Sequence, residues 1–347
     1  MTRNTVAVIS AVLFLIFSTL LLAMPVPYVT RAPGETYNVL GSKDGQPVLR
    51  VEGINTYPTT GKILLTTISQ SGPETQINLI DALIASLSTT KQVLPREWIY
   101  QTGKTNEQLQ IKADNQLKQA QDMAAVAALR AAGNPVDELP VVASINTGGP
   151  AFGILEVGDF VTKIDDDSVW SVSQVTEAIQ HKAVGDQLLI EVKRGKDVRN
   201  LQVTTISSNQ NKKVPTIGVS YETGYRYGPQ ISYVGDSAVF GAGEGLAFAL
   251  GIYDQITASD IVGDSVVAVA GGVDSDGTVR PTESVRQKVA GAQHAGANVF
   301  LIPAENCEDI VGMSFDMQIV KITNLGEAIE VLRELAATET ITKAPSC

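Results

Sequence analysis

The sequence predicts an α+β chain of several domains that follow an N-terminal transmembrane helix. The length of 347 residues is sufficient for two or three domains, and residues 5–24 form one uncharged apolar run. Behind that run, short apolar segments bounded by Gly and Pro alternate with longer segments of helical period. Hydrophobic residues make up 44% of the chain, which is enough for a buried core and excludes a disordered protein.

The charge balance and the few soft ligands exclude two classes of function. The chain has 26 Lys and Arg against 37 Asp and Glu, a net charge of −11. A nucleic-acid-binding protein needs a basic face to neutralise phosphates, so we expect no nucleic-acid partner. Two Cys and two His leave few ligands for a metal, so we expect no metal site and no cofactor.

The apolar run at residues 5–24 is long enough to cross a membrane. As a helix, at about 1.5 Å per residue, it spans roughly the 30 Å hydrocarbon core of a bilayer. The alternative is a cleaved signal peptide, but the end of the run, Leu22-Ala23-Met24-Pro25, offers no clean small-x-small cleavage site. We expect a single-pass anchor in the cell membrane, with the bulk of the chain outside the cytoplasm.

Residues 25–138 are expected to form a β-rich and helical N-terminal region. Strand-like runs lie within residues 46–70, and helix-like runs cover residues 76–92 and 105–132. The run Gly103-Lys104-Thr105 is not a P-loop, because Trp98 stands where that motif needs a glycine. We therefore expect no ATP binding.

Residues 139–205 alternate strands with one helix, and their motif resembles that of a bacterial PDZ domain. The resemblance rests on the run GPAFGILEVGD at 149–159 and on VTKID at 161–165. It implies a sandwich-like or barrel-like β-domain that binds an extended peptide by strand addition beside a helix. The expected edge is the strand 139–145, opposite the helix 172–181, with the candidate binding residues Leu139, Val141, Ala143 and Ile145. The alternative is a small α+β domain whose groove is filled.

Residues 216–337 have an α/β pattern that begins with a strand-like run at 217–221. Together with the leader, these residues resemble one family. The stretches are PVPYVTRAPGETYNVLG at 25–41, GLAFALGIYDQIT at 245–257 and the segment 270–307. They resemble the membrane-anchored, PDZ-containing branch of the Lon-type serine peptidases, in that family's order along nearly the whole chain. The resemblance implies an α/β proteolytic domain over 216–337 and a possible homo-oligomer.

The chemistry that the resemblance implies is a serine nucleophile with a lysine general base. The family's Gly-Pro-Ser-Ala-Gly-Leu turn corresponds here to residues 241–246, so Gly243 takes the place of the serine. The family's lysine matches Lys288, and its Pro-Ile-Gly-Gly run is replaced by Pro281-Thr282-Glu283-Ser284. A glycine cannot attack a carbonyl, so the resemblance implies a peptidase-like protein with a degenerate catalytic site. Lys288 is then expected to form an ion pair, with Glu283 or Glu244.

Two alternatives to a degenerate peptidase remain open at this point. Ser237, in Gly235-Asp236-Ser237-Ala238, is a candidate relocated nucleophile for an active Ser–Lys endopeptidase. A scaffold without groove chemistry or peptide selectivity is the other alternative. If the catalytic site is degenerate, the expected ligands are peptides or unfolded proteins that the PDZ domain binds.

The two cysteines are candidates for a disulfide. Cys307 and Cys347 both follow the apolar run, and an oxidising compartment outside the cytoplasm would permit them to pair. Two unpaired thiols are the alternative, because sequence alone does not give their separation in space.

Overall fold

The structure is a computed structural model that describes residues 3–100, 103–208, 211–235, 240–342 and 344–347. It divides into two compact units: residues 135–228 form an inserted unit, and residues 1–134 with 229–347 form a main unit. The helices are α1 Arg3–Ala23, α2 Leu79–Ser86, α3 Arg96–Ile99, α4 Asn106–Ala131, α5 Val172–Gln180, α6 Gly245–Ile256, α7 Val285–His294 and α8 Leu325–Thr338, with 3-10 turns at Ala242–Glu244 and Ala304–Ile310.

The strands of four or more residues are numbered in chain order. They are β1 Tyr28–Asn38, β2 Leu49–Glu52, β3 Lys62–Gln70, β4 Gln92–Pro95, β5 Asp137–Ile145, β6 Phe160–Ile164, β7 Gln187–Arg194, β8 Asp197–Thr204, β9 Val219–Arg226, β10 Gln230–Tyr233, β11 Val266–Val269, β12 Val299–Pro303 and β13 Gln318–Ile322. Shorter strands of two residues each lie at Pro25–Val26, Ser42–Lys43, Gln46–Pro47, Ile77–Asn78, Asp167–Ser168, Ile206–Ser207, Pro215–Thr216, Gly272–Val273 and Val279–Arg280.

One mixed sheet forms the centre of the main unit, in the order β13-β12-β11-β3-β1-β4. The strands β13, β12, β11 and β3 are parallel, whereas β1 pairs antiparallel with both β3 and β4. Residues 63–67 of β3 are buried in succession, as expected for a strand in the middle of a parallel sheet. The regions 25–138 and 216–337, which the sequence divides, therefore share one sheet, because β3 pairs with β11 across about 200 residues of chain.

Helices α6 and α7 carry the residues of interest in the main unit. α6 is largely apolar and is buried along nearly its whole length, with α4 and α8 against it. α7 contacts β1 and β3, and its residues Val285, Val289 and Ala292 enter a core with Phe300 and Ile302. Both helices are thus fixed by burial.

The inserted unit is an antiparallel sheet in the order β8-β7-β6-β5-β9, with α5 against it. α5 begins after Ser171, whose hydroxyl accepts the N–H of Gln174, and it buries Val175 and Ile179. Asp159, the last residue of the motif at 149–159, has a structural role in this unit. Asp159 is fully buried and accepts two hydrogen bonds from Arg194, at 2.6 and 2.7 Å.

Asp254, on α6, gives the main unit a pH-dependent stability. Burial raises the pKa of this carboxyl to about 6, although the N–H of Ile261 donates to it at 2.8 Å. The pKa is higher in the folded state than in the unfolded state, so stabilisation present below about pH 4 is lost as pH rises through 6. Relative to Asp254→Asn, we expect the wild type to lose about 2–3 kcal/mol of unfolding free energy between pH 4 and 7. Denaturant unfolding at a series of pH values checks this, and a constant difference between the two proteins would contradict it.

The C-terminal segment is bonded to the main unit. Cys307 and Cys347 form a disulfide, and the N–H of Lys321 in β13 donates to the C=O of Pro345 at 3.1 Å. The bridge closes a loop of 40 residues. Replacing both cysteines with alanine should lower the free energy of unfolding by about 2–4 kcal/mol, because the unfolded chain becomes less constrained. Denaturant unfolding with and without dithiothreitol measures the loss: the reductant should destabilise the wild type and leave the double variant unchanged. Equal stability of the wild type and the double variant would contradict the expectation.

Candidate functional site

The start of α6 holds residue 243 in a glycine-rich turn. Residues 242–244 form a 3-10 turn that continues directly into α6. The C=O of Gly243 accepts the N–H of Gly271 at 2.9 Å, and the N–H of Leu246 donates to the C=O of Gly271 at 3.0 Å. These main-chain bonds hold the turn against the segment that follows β11.

Lys288 lies in α7 with its ammonium group buried beside this turn. The residue is 3% exposed, and Nζ donates to Thr282 Oγ1 at 2.8 Å, to Glu244 Oε1 at 3.0 Å and to the C=O of Gly243 at 3.4 Å. An ammonium has three N–H donors, so these three acceptors satisfy it completely. The partner of Lys288 is thus Glu244.

Glu283, the other partner that the sequence allows for Lys288, points elsewhere. Ser284 has a positive φ of 58° as the residue before α7. This left-handed turn separates Glu283 from the helix, and Glu283 pairs with Arg31 at 2.9 Å. Ser284 Oγ also accepts from Arg31, at 3.1 Å, so Ser284 serves this ion pair and lies outside the cluster around Lys288.

Glu244 fixes the turn as well as the lysine. It is 5% exposed, and its Oε2 accepts the N–H of Gly241 at 2.7 Å while Oε1 accepts from Lys288. Its charge lies at the N-terminal end of α6, where the helix dipole favours a negative group. The carboxylate therefore already binds the lysine and one main-chain donor at the place where a reaction would need free donors for an oxyanion.

The space in front of Gly243 is bounded by Thr282 and Lys288. A Cβ built on Gly243 would lie 2.8 Å from Lys288 Nζ and would overlap Thr282 Oγ1. A side chain at 243 would thus point at the lysine. In this chain the hydroxyl of Thr282, which comes from a different segment, fills that space. The sequence analysis identified Gly243 and Lys288 but missed Thr282, although this residue departs from the family's Pro-Ile-Gly-Gly run.

This cluster borders a cleft of about 700 Å³. One wall is the end of β3, where β11 pairs with residues 62–65 and leaves residues 67–70 without a strand on that side among the described residues. The lining also includes Gln116, Gln119 and Met123 of α4. The cleft offers main-chain edges and amide side chains, and its lining includes the Lys288–Glu244 ion pair and Thr282.

The strand that the sequence assigned to peptide binding lies inside its sheet. β5, with Leu139, Val141, Ala143 and Ile145, pairs along its whole length with β9 and also has β6 as a neighbour. That expectation about the binding edge is therefore wrong, because β9 covers the edge. In the described part of the chain, β9 pairs with β5 alone and so forms the edge of the sheet, with α5 in contact with it.

The free edge of β9 presents main-chain groups in a defined order. The N–H of Asn146 donates to the C=O of Gly218 at 2.8 Å, so this C=O faces β5, whereas the N–H of Gly218 donates to Thr216 Oγ1. In a trans peptide unit the C=O and the next N–H point to opposite sides, so the N–H of Val219 faces the open edge, and in an extended strand its C=O faces the same side. The sequence analysis found a strand at 217–221 but assigned it to the C-terminal domain, because its pairing with residues 137–145 leaves no local signal.

Two further candidates have different outcomes. Ser237 lies outside the described residues, so its distance from Lys288 is not part of this structure. Among the described residues, no group of three or more His, Cys, Asp or Glu is placed to hold a metal.

Comparison with known proteins identifies one domain by class. Residues 116–205 match the family model of the PDZ domain, so this chain contains a PDZ domain. The match begins within α4 and ends before β9, which the structure adds to the same unit.

The particular relatives are more distant. Lon protease 2 of Bacillus subtilis (strain 168) is 24% identical over 204 residues, which are 58% of this chain and 34% of that protein. The match thus spans about a third of that relative's length. The PDZ domain of an SdrC-like protein from Listeria monocytogenes is 26% identical over 24% of this chain and 85% of its own, with a TM-score of 0.22. Its counterpart from Listeria innocua is 29% identical over 24% of this chain and 93% of its own, with a TM-score of 0.23.

Proposed function

We propose that this chain is a membrane-anchored, Lon-like protein that binds peptides or unfolded proteins through its PDZ domain and does not cleave them. The observation that carries the proposal is the cluster at Lys288. Its ammonium is ion-paired with Glu244 and bonded to Thr282, and the residue that faces it is Gly243. An ammonium has no lone pair with which to take a proton, and a glycine has no nucleophile to activate.

Peptide binding is supported by the open edge of β9. A sheet edge next to a helix can accept an extended peptide as an additional strand, with main-chain hydrogen bonds supplying affinity. The main-chain groups of Val219 face that edge, and α5 lies beside it. The cleft next to Gly243 supports a second contact with extended chains, because the end of β3 is also open there.

The location outside the cytoplasm is supported by two features. One helix, over Asn4–Leu22, is long and apolar enough to cross a membrane, although a signal sequence would have the same character. The disulfide between Cys307 and Cys347 is of the kind that persists in oxidising compartments. We therefore place the bulk of the chain outside the cytoplasm, anchored by α1.

The test is a pair of assays on the full chain in lipid nanodiscs. Screening against a library of C-terminal peptides should find a selective set, and incubation with an unfolded protein without ATP should give no cleavage. Binding without selectivity would indicate a scaffold in place of a peptide-binding module. Cleavage that disappears in Ser237→Ala would overturn the degenerate site and would support an active endopeptidase.

A further inference from the structure

The outer face of α2 is apolar, although α2 lies on the surface of the main unit. Leu79, Leu83 and Leu87 follow at intervals of four residues and therefore share one face of the helix. Leu83, Ile84 and Leu87 are 57%, 59% and 80% exposed, whereas the side chains that α2 buries are only the small Ala82 and Ala85. An ordinary surface helix buries its large apolar residues and exposes its polar ones, so the pattern here is inverted.

Hydrogen bonds place this face beside the end of α1. The N–H of Leu79, the first residue of α2, donates to the C=O of Met24 at 3.1 Å, directly after α1 ends. The strand Pro25–Val26 pairs with Ile77–Asn78, and α1 contacts α2. α1 has 21 residues, so it is about 31 Å long and just spans a hydrocarbon core. The start of α2 is therefore fixed where a bilayer around α1 would end.

A second exposed apolar group lies beside the same exit point. Trp98, in α3, is 70% exposed. The N–H of Arg96, which begins α3, donates to the C=O of Pro27 at 3.0 Å, and Tyr28 pairs with Pro95. α2 and α3 are thus both hydrogen-bonded to residues 24–28, and both expose large apolar side chains: Leu and Ile on α2, and Trp on α3. Tryptophan is enriched where membrane proteins meet the bilayer surface.

We propose that the outer face of α2, together with Trp98, is a membrane-docking surface that inserts into the lipid surface around the anchor. The inference rests on the proposed anchoring by α1, and the chemistry that it requires is an apolar bilayer surface. An interfacial helix buries its apolar face about 5–10 Å into the boundary between headgroups and acyl chains. Asp81 and Ser86, both exposed on α2, flank the apolar face and lie at the headgroup level. Docking would hold the main unit close to the membrane and fix its orientation.

The test places a fluorophore on this face in the full chain, reconstituted into phosphatidylcholine vesicles. The two cysteines of the chain are joined in the disulfide, so an introduced cysteine is the only free thiol. The probe positions are Leu83→Cys and Leu87→Cys. The control is Ala337→Cys, an exposed position near the end of α8. Its location in the fold is given by the neighbouring residue Ala336, which lies next to Gly263, just before β11. Gly263 lies at the end of the sheet that is remote from Tyr28, on the side of β3 away from β4. Position 337 is therefore far from the proposed docking surface.

We expect labels at 83 and 87 to emit at shorter wavelength, to be quenched by lipids brominated on the acyl chains, and to lose accessibility to aqueous iodide. The label at 337 should show the reverse. Equal iodide quenching at 87 and 337, while the chain resists extraction by carbonate, would overturn the docking surface and leave the anchor intact. Protection from iodide without quenching by brominated lipid would show that protein, such as a second copy, covers the face, and would overturn the lipid assignment. Release of the chain by carbonate would overturn the anchor and the docking surface together.

Discussion

Replacing Lys288 with methionine should lower the free energy of unfolding of the main unit by about 3–5 kcal/mol. The change removes the cation and leaves the Glu244 carboxylate buried with the N–H of Gly241 as its remaining partner among the described contacts. An uncompensated buried charge is costly because it loses hydration without a replacement. Denaturant unfolding followed by far-ultraviolet circular dichroism measures the loss.

Two controls separate the ion pair from a general loss of packing. The double variant Lys288→Met with Glu244→Leu removes both charges and should recover most of the loss, since replacing a buried pair by apolar residues is often neutral. Arg280→Met removes the cation of an exposed pair with Asp274 and should have a much smaller effect on stability, because solvent screens the two charges. A Lys288→Met protein as stable as the wild type would show that the two charges are not paired in the folded chain.

Replacing Val219 with proline should weaken peptide binding by about five- to 150-fold, because a peptide carbonyl loses its donor at a cost of about 1–3 kcal/mol. Proline has no N–H, and the N–H of Val219 faces the open edge of β9. Proline is tolerated on edge strands at such positions, so the pairing of β9 with β5 should persist. Fluorescence anisotropy with a selected peptide measures the affinity.

The matched control is Val219→Ala, which trims the same side chain but keeps the N–H. Val219 is packed against the core of the inserted unit, so both variants lose part of that contact. We expect the alanine variant to bind nearly as well as the wild type. Equal losses in the two variants would assign the effect to packing, and unchanged binding in the proline variant would place the peptide somewhere other than the β9 edge.

Much of the main unit's site is readable from the sequence, because its parts are local. The glycine-rich turn and the lysine in the first turn of a helix are short motifs, and matching them to the family brought Gly243 and Lys288 together in advance. Thr282 was missed because its role depends on geometry: its hydroxyl enters space that the absent side chain of residue 243 leaves open. The choice between Glu283 and Glu244 depended on the left-handed turn at Ser284, which no spacing rule predicts.

Long-range strand pairing accounts for the errors. The sequence predicted strands near residues 139–145 and 217–221 but not that they pair, since more than 70 residues separate them. When β9 pairs with β5, β5 becomes an inner strand and β9 becomes the edge, although the residue pattern of neither strand changes. The expected binding edge was therefore wrong. The same reason explains why β1, β3 and β4 were assigned to a region apart from the sheet that they complete. The order of strands depends on contacts between distant parts of the chain, which form only when the sheet is assembled and buried.

The central claim is that this chain has no working nucleophile beside Lys288. The most direct measurement is incubation of the full chain in nanodiscs with a fluorophosphonate probe, followed by mass spectrometry of any labelled peptide. The account expects no labelling above that of the heat-denatured protein, because Gly243 lacks a hydroxyl and Lys288 is bound to Glu244 and Thr282. Labelling of Ser237 or Thr282 that depends on Lys288 would contradict the account and establish an active catalytic site.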